Sequence, residues 1–245
     1  IDEGQDWSEN EQYIIKLIFG PENLTVAHGR EQNIRGVETN WAKNINTNDV
    51  NSITLRKALR MKPNLAEFVR QFASRTFRNE SFKALQDSED SSGGHITLII
   101  GDYSTNINMI HSIMFNLPED VEPIDNLHCM ISSSRITHEL ANKDVSIWHG
   151  FDEKLRKTPP NNINQSRFVN YKSSRGLEGW TTFLYDFDKF WDLATADGLR
   201  QFQNKRDMLD SPDAYAQDHA AKWALIALTR SIDSTVIHIN SENSY

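Results

Sequence analysis

Six short apolar runs constrain this chain most: "HITLIIGDY" from residue 95, then "LHCMISSS", "DVSIWH", "FVNY", "WTTFLYD" and "STVIHI", which ends at residue 239. Each run is only as long as a strand, and several end in small polar residues. Between some of them lie segments with helical spacing, such as "TNINMIHSIMFNL". Strands alternating with helices, and apolar on both faces, predict an α/β fold: a parallel sheet flanked by helices. In open sheets of this kind ligands sit outside the carboxyl ends of the strands, so the small polar residues there are the first place to expect a site.

The first third of the chain has a different texture. "ENEQYIIKLIF" over residues 9–19 places Ile14, Ile15, Leu17 and Ile18 at spacings that predict a helix with one apolar side. "NLTVAH" reads as a short buried strand. "NLAEFVRQFASRTF" puts Leu65, Phe68, Val69, Phe72 and Phe77 at helical spacing behind a Pro63-Asn64 start signal. "QDSEDSSGG" at 86–94 and "KTPPNNINQS" are loops. Residues 79–95 and 152–166 are candidates for shortened insertions.

With 38% hydrophobic residues, of which the aromatics are a good share, 245 residues can fill a large core. No apolar run approaches the roughly 18–20 residues of a membrane span, so no membrane partner is expected and a cytoplasmic location is. The single cysteine, Cys129, sits beside Met130 and Ile131 and reads as core filler in a reducing compartment. A net charge of −8 excludes bulk attraction to nucleic acid but leaves room for a local basic groove. Candidates for one are Arg56, Lys57, Arg60 and Lys62, followed by Arg70, Arg75 and Arg78; the bland reading is a solvated helix face. The histidines have no zinc-ligand spacing, and Trp180, Phe183, Tyr185, Phe187, Phe190 and Trp191 read as packing of a strand and a helix.

The chain opens on "DEGQD". An adjacent acidic pair can hold Mg²⁺ with one carboxylate and polarise an attacking water with the other. Further on come "EQNIRG" with Gln32, "LRKALRM" with Arg60, "YKSSRGLEGW", and "WALIALTRS" leading into a strand. In this order and at these intervals the series resembles the later motifs of the UvrD-like DNA helicases of superfamily 1, over nearly the whole chain.

The resemblance implies an ATP-dependent helicase or translocase moving 3′ to 5′ on single-stranded or partly duplex DNA, with ATP and Mg²⁺ as cofactors. "DEGQD" matches D-E-x-Q-D, which implies Asp2 for Mg²⁺, Glu3 as the base that activates water, and Gln5 and Asp6 for coupling. Gln32 would read the γ-phosphate, and Arg60 would contact phosphate. "RGLEGW" is similar to K-G-L-E, giving Gly176 and Glu178 nucleotide contacts, with Arg175 where Lys is usual. "ALTRS" resembles A-x-T-R-A, making Arg230 an arginine finger. Residues 1–50 would end a first RecA-like domain and 51–245 form a second, with ATP between them.

Departures are visible too. His28 and Gly29 stand where the family carries an Asp before its glutamine. Lys172 replaces a His and could meet DNA along with Arg175. Trp41 is the aromatic nearest the position where the family stacks a base, and packing is its other reading. "FVNYKSS" faintly resembles the core of RecB-type nucleases, but Asn170 occupies the metal-binding position. No G-x-x-x-x-G-K-[ST] occurs. The expected partner is therefore an N-terminal half of the same protein bearing the P-loop, and this chain alone should be inactive. The alternatives are a helicase-like module without ATPase activity that binds DNA or docks on protein, and the helicase part of a nuclease or defence system.

Overall fold

The computed structural model describes residues 1–27, 40–46, 49–53, 60–76, 93–132, 135–203 and 211–241. They divide into two units, Ile1–Arg56 and Lys57–Tyr245.

The first unit is small. After a turn of 3₁₀ helix at Gly4–Asp6, α1 runs Glu9–Phe19. Ser8 caps it: the Ser8 hydroxyl accepts from the Glu11 amide while the Glu11 carboxylate accepts from the Ser8 amide at 2.6 Å. This reciprocal cap explains why the helix starts there. Its apolar side is not buried as the spacing predicts. Ile14, Leu17, Ile18 and Phe19 are exposed, and the one buried residue of α1 is Gln12. Leu24–Ala27 is no buried strand either: it is extended, with Thr25 and Ala27 exposed, and it bonds the opening residues through Ala27 N to Ile1 O at 2.9 Å and Gly4 N to Ala27 O at 2.8 Å. The apolar pattern is real in both places, but it is only partly covered: Ile15, Leu24 and Val26 are half-buried while Ile14, Leu17 and Ile18 are exposed.

The second unit is a sheet of six strands, all parallel, in the order β1-β6-β5-β2-β4-β3. The strands are β1 (His95–Ile100), β2 (Leu127–Met130), β3 (Ile147–His149), β4 (Ser166–Asn170), β5 (Gly179–Leu184) and β6 (Ser231–Ile239). All six fall on the six apolar runs. Preceding the sheet is α2 (Pro63–Thr76); between strands come α3 (Ile107–Phe115), α4 (Arg135–Ala141), α5 (Phe187–Phe202) and α6 (Pro212–Leu228).

Period-two alternation sends neighbouring residues to opposite faces. On one face Cys129, Val169, Leu184 and Ile237 share a core with Leu65 and Val69 of α2, Phe190 of α5, and Leu225 and Leu228 of α6. On the other, Met130, Phe168, Phe183 and Val236 share one with Ile110 and Met114 of α3 and Ile136 and Leu140 of α4. Over the inner strands both faces are covered, which is why those runs read as continuous rather than alternating; at the edge strand β1, Ile96, Leu98 and Ile100 are exposed. Cys129 is fully buried, and burial pushes its thiol up to about 12, consistent with core filling. His128 lies between the rings of Phe168 and Phe183, at 4.1 and 4.3 Å, and burial holds it well below the usual imidazole range.

Candidate functional site

In the first unit the acidic opening is a fixed turn. Glu3 adopts a left-handed backbone, φ 53° and ψ 42°, which is uncommon for a residue with a side chain. Its amide donates to Asp2 Oδ1 at 2.9 Å, and its carboxylate accepts from the buried Gln5 amide at 2.5 Å. The Asp6 amide donates to Glu3 O at 3.0 Å. Gly4 is required by space: a Cβ there would meet Val26 Cγ1 at 2.5 Å. Trp41 donates its indole N–H to Gly4 O at 2.8 Å and meets Trp7 edge-on. Asp2, Glu3, Gln5, Asp6 and Trp41 therefore come together around one turn. Gln32, with His28 and Gly29, lies outside the described residues.

In the second unit the motif residues gather at the amino ends of β5 and β6, the edge opposite the one the general rule for such sheets favours. Ser174–Leu177 form a type II turn: Arg175 has φ −60° and ψ 131°, Gly176 has φ 76°, and Leu177 N donates to Ser174 O at 3.0 Å. Such a turn needs a positive φ at its third position, which glycine supplies without strain. Space is no constraint there, since a Cβ on Gly176 would meet nothing within 4 Å. At Gly179 the reverse holds, because a Cβ would stand 2.7 Å from Leu127 Cβ.

Three guanidinium groups hold Leu177 and Glu178, where the chain leaves this turn. Arg60 pairs with the Glu178 carboxylate at 2.5 Å, both side chains nearly half exposed. Arg230, 5% exposed, donates to Leu177 O at 3.4 Å, to Ile226 O at 2.8 Å and to Thr229 Oγ1 at 3.0 Å. Arg167 of β4 donates to Glu178 O at 2.6 Å. Arg167 had no motif to mark it, and its place depends on the fold.

The two kinds of contact differ in worth. An exposed ion pair such as Arg60–Glu178 contributes about 0–1 kcal/mol, so a ligand anion can displace the carboxylate at little cost. A buried cation such as Arg230 must keep its hydrogen bonds or lose several kcal/mol, on the order of 3–5. The site thus has a fixed floor and an exchangeable rim, both cationic, which suits phosphate oxygens.

Lys172 donates to Asp197 Oδ2 at 2.6 Å, with its ammonium 5.6 Å from the Trp223 ring centre; Arg175 occupies the second position of the turn. Arg70, among the clustered basic residues, pairs with Glu67 on its own helix.

At the carboxyl edge two crevices of about 440 and 340 Å³ flank Asp186 and Lys189; Ile131, Ser132, Asp192 and Leu193 line the larger, and Asp102, Tyr103, Arg135 and Asn240 the smaller. None of the motif residues lines either.

Among the described residues no three potential ligands assemble for a metal ion. Asp2 fits Mg²⁺ only in the manner usual for that ion, through one or two carboxylates together with substrate phosphates. No helix among the described residues is long and apolar enough to cross a membrane.

No family model matches the chain, and no curated protein matches it. One solved structure similar to it is the C-terminal domain of a possible DNA helicase from Lactobacillus plantarum WCFS1, with 9% identity, a TM-score of 0.45, and coverage of 75% of this chain and 89% of that one.

Proposed function

We propose that the chain is part of an ATP-dependent DNA helicase or translocase of the UvrD-like type, acting with a P-loop-bearing segment and moving 3′ to 5′ on single-stranded DNA. The observation that carries this reading is the convergence of Arg60, Glu178 and Arg230, distant in sequence, on one turn. These are the residues to which the motif resemblance gives phosphate and ribose contacts. Arg60 and Arg230 would bind phosphate oxygens, and Gly176 and Glu178 would meet the ribose and DNA. In the first unit Glu3 would hold and deprotonate the attacking water, Gln5 and Asp6 would couple hydrolysis to movement, and Gln32 would read the γ-phosphate. Bound Mg²⁺, held by Asp2, would neutralise charge developing on the phosphates.

The test is Glu3→Gln in the full-length protein. The amide keeps shape but cannot take a proton, so ATP should still bind while DNA-stimulated turnover falls by about 10² to 10⁴. Loss of ATP binding together with turnover would make Glu3 a structural residue and remove the assignment. A full-length protein that binds DNA and never hydrolyses ATP would be the ATPase-inactive module instead.

A further inference from the structure

We propose that Arg167 is a positioning residue of the amino-edge site, setting Glu178 and through it Arg60 for an anionic nucleotide ligand. The proposal rests on the reading that this edge binds nucleotide.

Arg167 lies on β4, and β2 separates that strand from β5. Its guanidinium crosses the amino end of β2, where it donates to Ile124 O at 2.6 Å and Asp125 O at 3.4 Å, and reaches Glu178 O at 2.6 Å just before β5. From the other side Arg230, just before β6, reaches Leu177 O. The Leu177–Glu178 backbone is therefore gripped from both flanks, one carbonyl by each arginine.

The choice of acceptors separates positioning from ordinary charge pairing. Asp125 and Glu178 both carry carboxylates, yet Arg167 bonds the backbone carbonyls of these two residues, and among the described residues it forms no ion pair. The Glu178 carboxylate is left for Arg60. Arg167 is half-buried, and burial pushes its guanidinium below the ordinary arginine value against the opposing pull of the nearby Asp125 and Glu178 carboxylates; its hydrogen bonds to three main-chain carbonyls fix where it lies. A planar fork can serve three carbonyls on two segments; an ammonium cannot span them.

The experiment compares Arg167→Met, Arg167→Lys, Arg60→Ala, Glu178→Ala and the Arg167→Met/Arg60→Ala pair in the full-length protein, by steady-state ATP hydrolysis with DNA and by melting without nucleotide. Arg167→Met should raise KM for ATP about tenfold with kcat within about twofold. Arg167→Lys, which keeps the charge and gives a folded comparison, should recover only a small part. In the Arg60→Ala background Arg167→Met should add little, because both act through Glu178. A lowered melting temperature with KM unchanged in both Arg167 variants would overturn the proposal, and so would effects of Arg167→Met and Arg60→Ala that multiply independently. If Arg60→Ala and Glu178→Ala raise KM while neither Arg167 variant does, the positioning role fails and the nucleotide reading stands. If none of them moves KM, both fail together.

Discussion

The two edges of the sheet solve opposite problems. At the amino edge Arg60, Arg167 and Arg230 surround Leu177–Glu178: the Glu178 carboxylate pairs with Arg60, the Asp125 carboxylate acts on Arg167, and backbone carbonyls accept from Arg167 and Arg230. At the carboxyl edge the carboxylates of Asp102, Glu139, Asp186 and Asp188 outnumber the cations Arg135 and Lys189. Asp186 Oδ1 accepts from Lys189 at 3.0 Å and from Asn240 at 2.8 Å, Asp188 accepts from the Asn240 amide, and Arg135 pairs with Asp102 and Glu139. Even the Asp186 amide is satisfied, by His238 Nδ1, whose Nε2 donates to Gly101 O. An edge with excess carboxylate repels an anionic ligand, whereas the arginines gathered at the amino edge attract one.

Removing one cation from each edge gives the largest expected contrast. Arg230→Ala should cut ATP turnover of the full-length protein by roughly 10³-fold, as loss of an arginine finger does, and Arg230→Lys should rescue poorly. Lys189→Ala, at the other edge, should change turnover by less than about twofold. Equal losses in single-turnover hydrolysis would erase the distinction between the edges.

Next in size is a pH effect on β2, the strand between β5 and β4. Burial lowers the folded-state value of His128 well below its ordinary one, so the unfolded chain takes up a proton first. Stability from this group is therefore complete above about pH 6.5 and declines as pH falls below it, by up to about 1.4 kcal/mol per pH unit. Burial shifts His219 the same way. Melting temperatures between about pH 7.5 and 5.5, on either side of the ordinary imidazole value, should show the slope, and His128→Phe should flatten it. An unchanged slope would mean that His128 is not its source.

Two smaller substitutions probe the backbone at each edge. Gly176→Ala should cost about 1 kcal/mol in chemical denaturation, from the positive φ rather than from crowding. Asp186→Asn, at φ 52°, should cost less, roughly 0.5 kcal/mol, since asparagine tolerates that conformation, its Oδ1 can still accept from Asn240, and what is lost is the charge of a pair whose lysine is exposed. The reverse order would place the rigid turn at the wrong edge.

The sheet was legible because the inner strands β2, β4, β5 and β6 are largely buried on both sides and so appear as apolar runs, and the edge strand β1 keeps an apolar run although Ile96, Leu98 and Ile100 are exposed. Burial of α1 was not legible, since Ile14, Leu17 and Ile18 record only that an apolar face exists, and nothing about whether something covers it. The motif residues Arg60, Glu178 and Arg230 could be picked out by type and order. That they meet at the amino edge could not, because this depends on β5 and β6 lying side by side. Arg167 left no trace at all: its acceptors are carbonyls, which every residue carries.

That last property reaches beyond the site. A segment gripped by its main chain depends little on the side chains it displays outside the core, so the residue at Arg175 could change without moving the turn, whereas Leu177, packed against the core, could not change so freely. What such a loop must preserve is one glycine, one apolar anchor and the arginines that hold it, a vocabulary so sparse that most of its other letters can be rewritten while the shape persists.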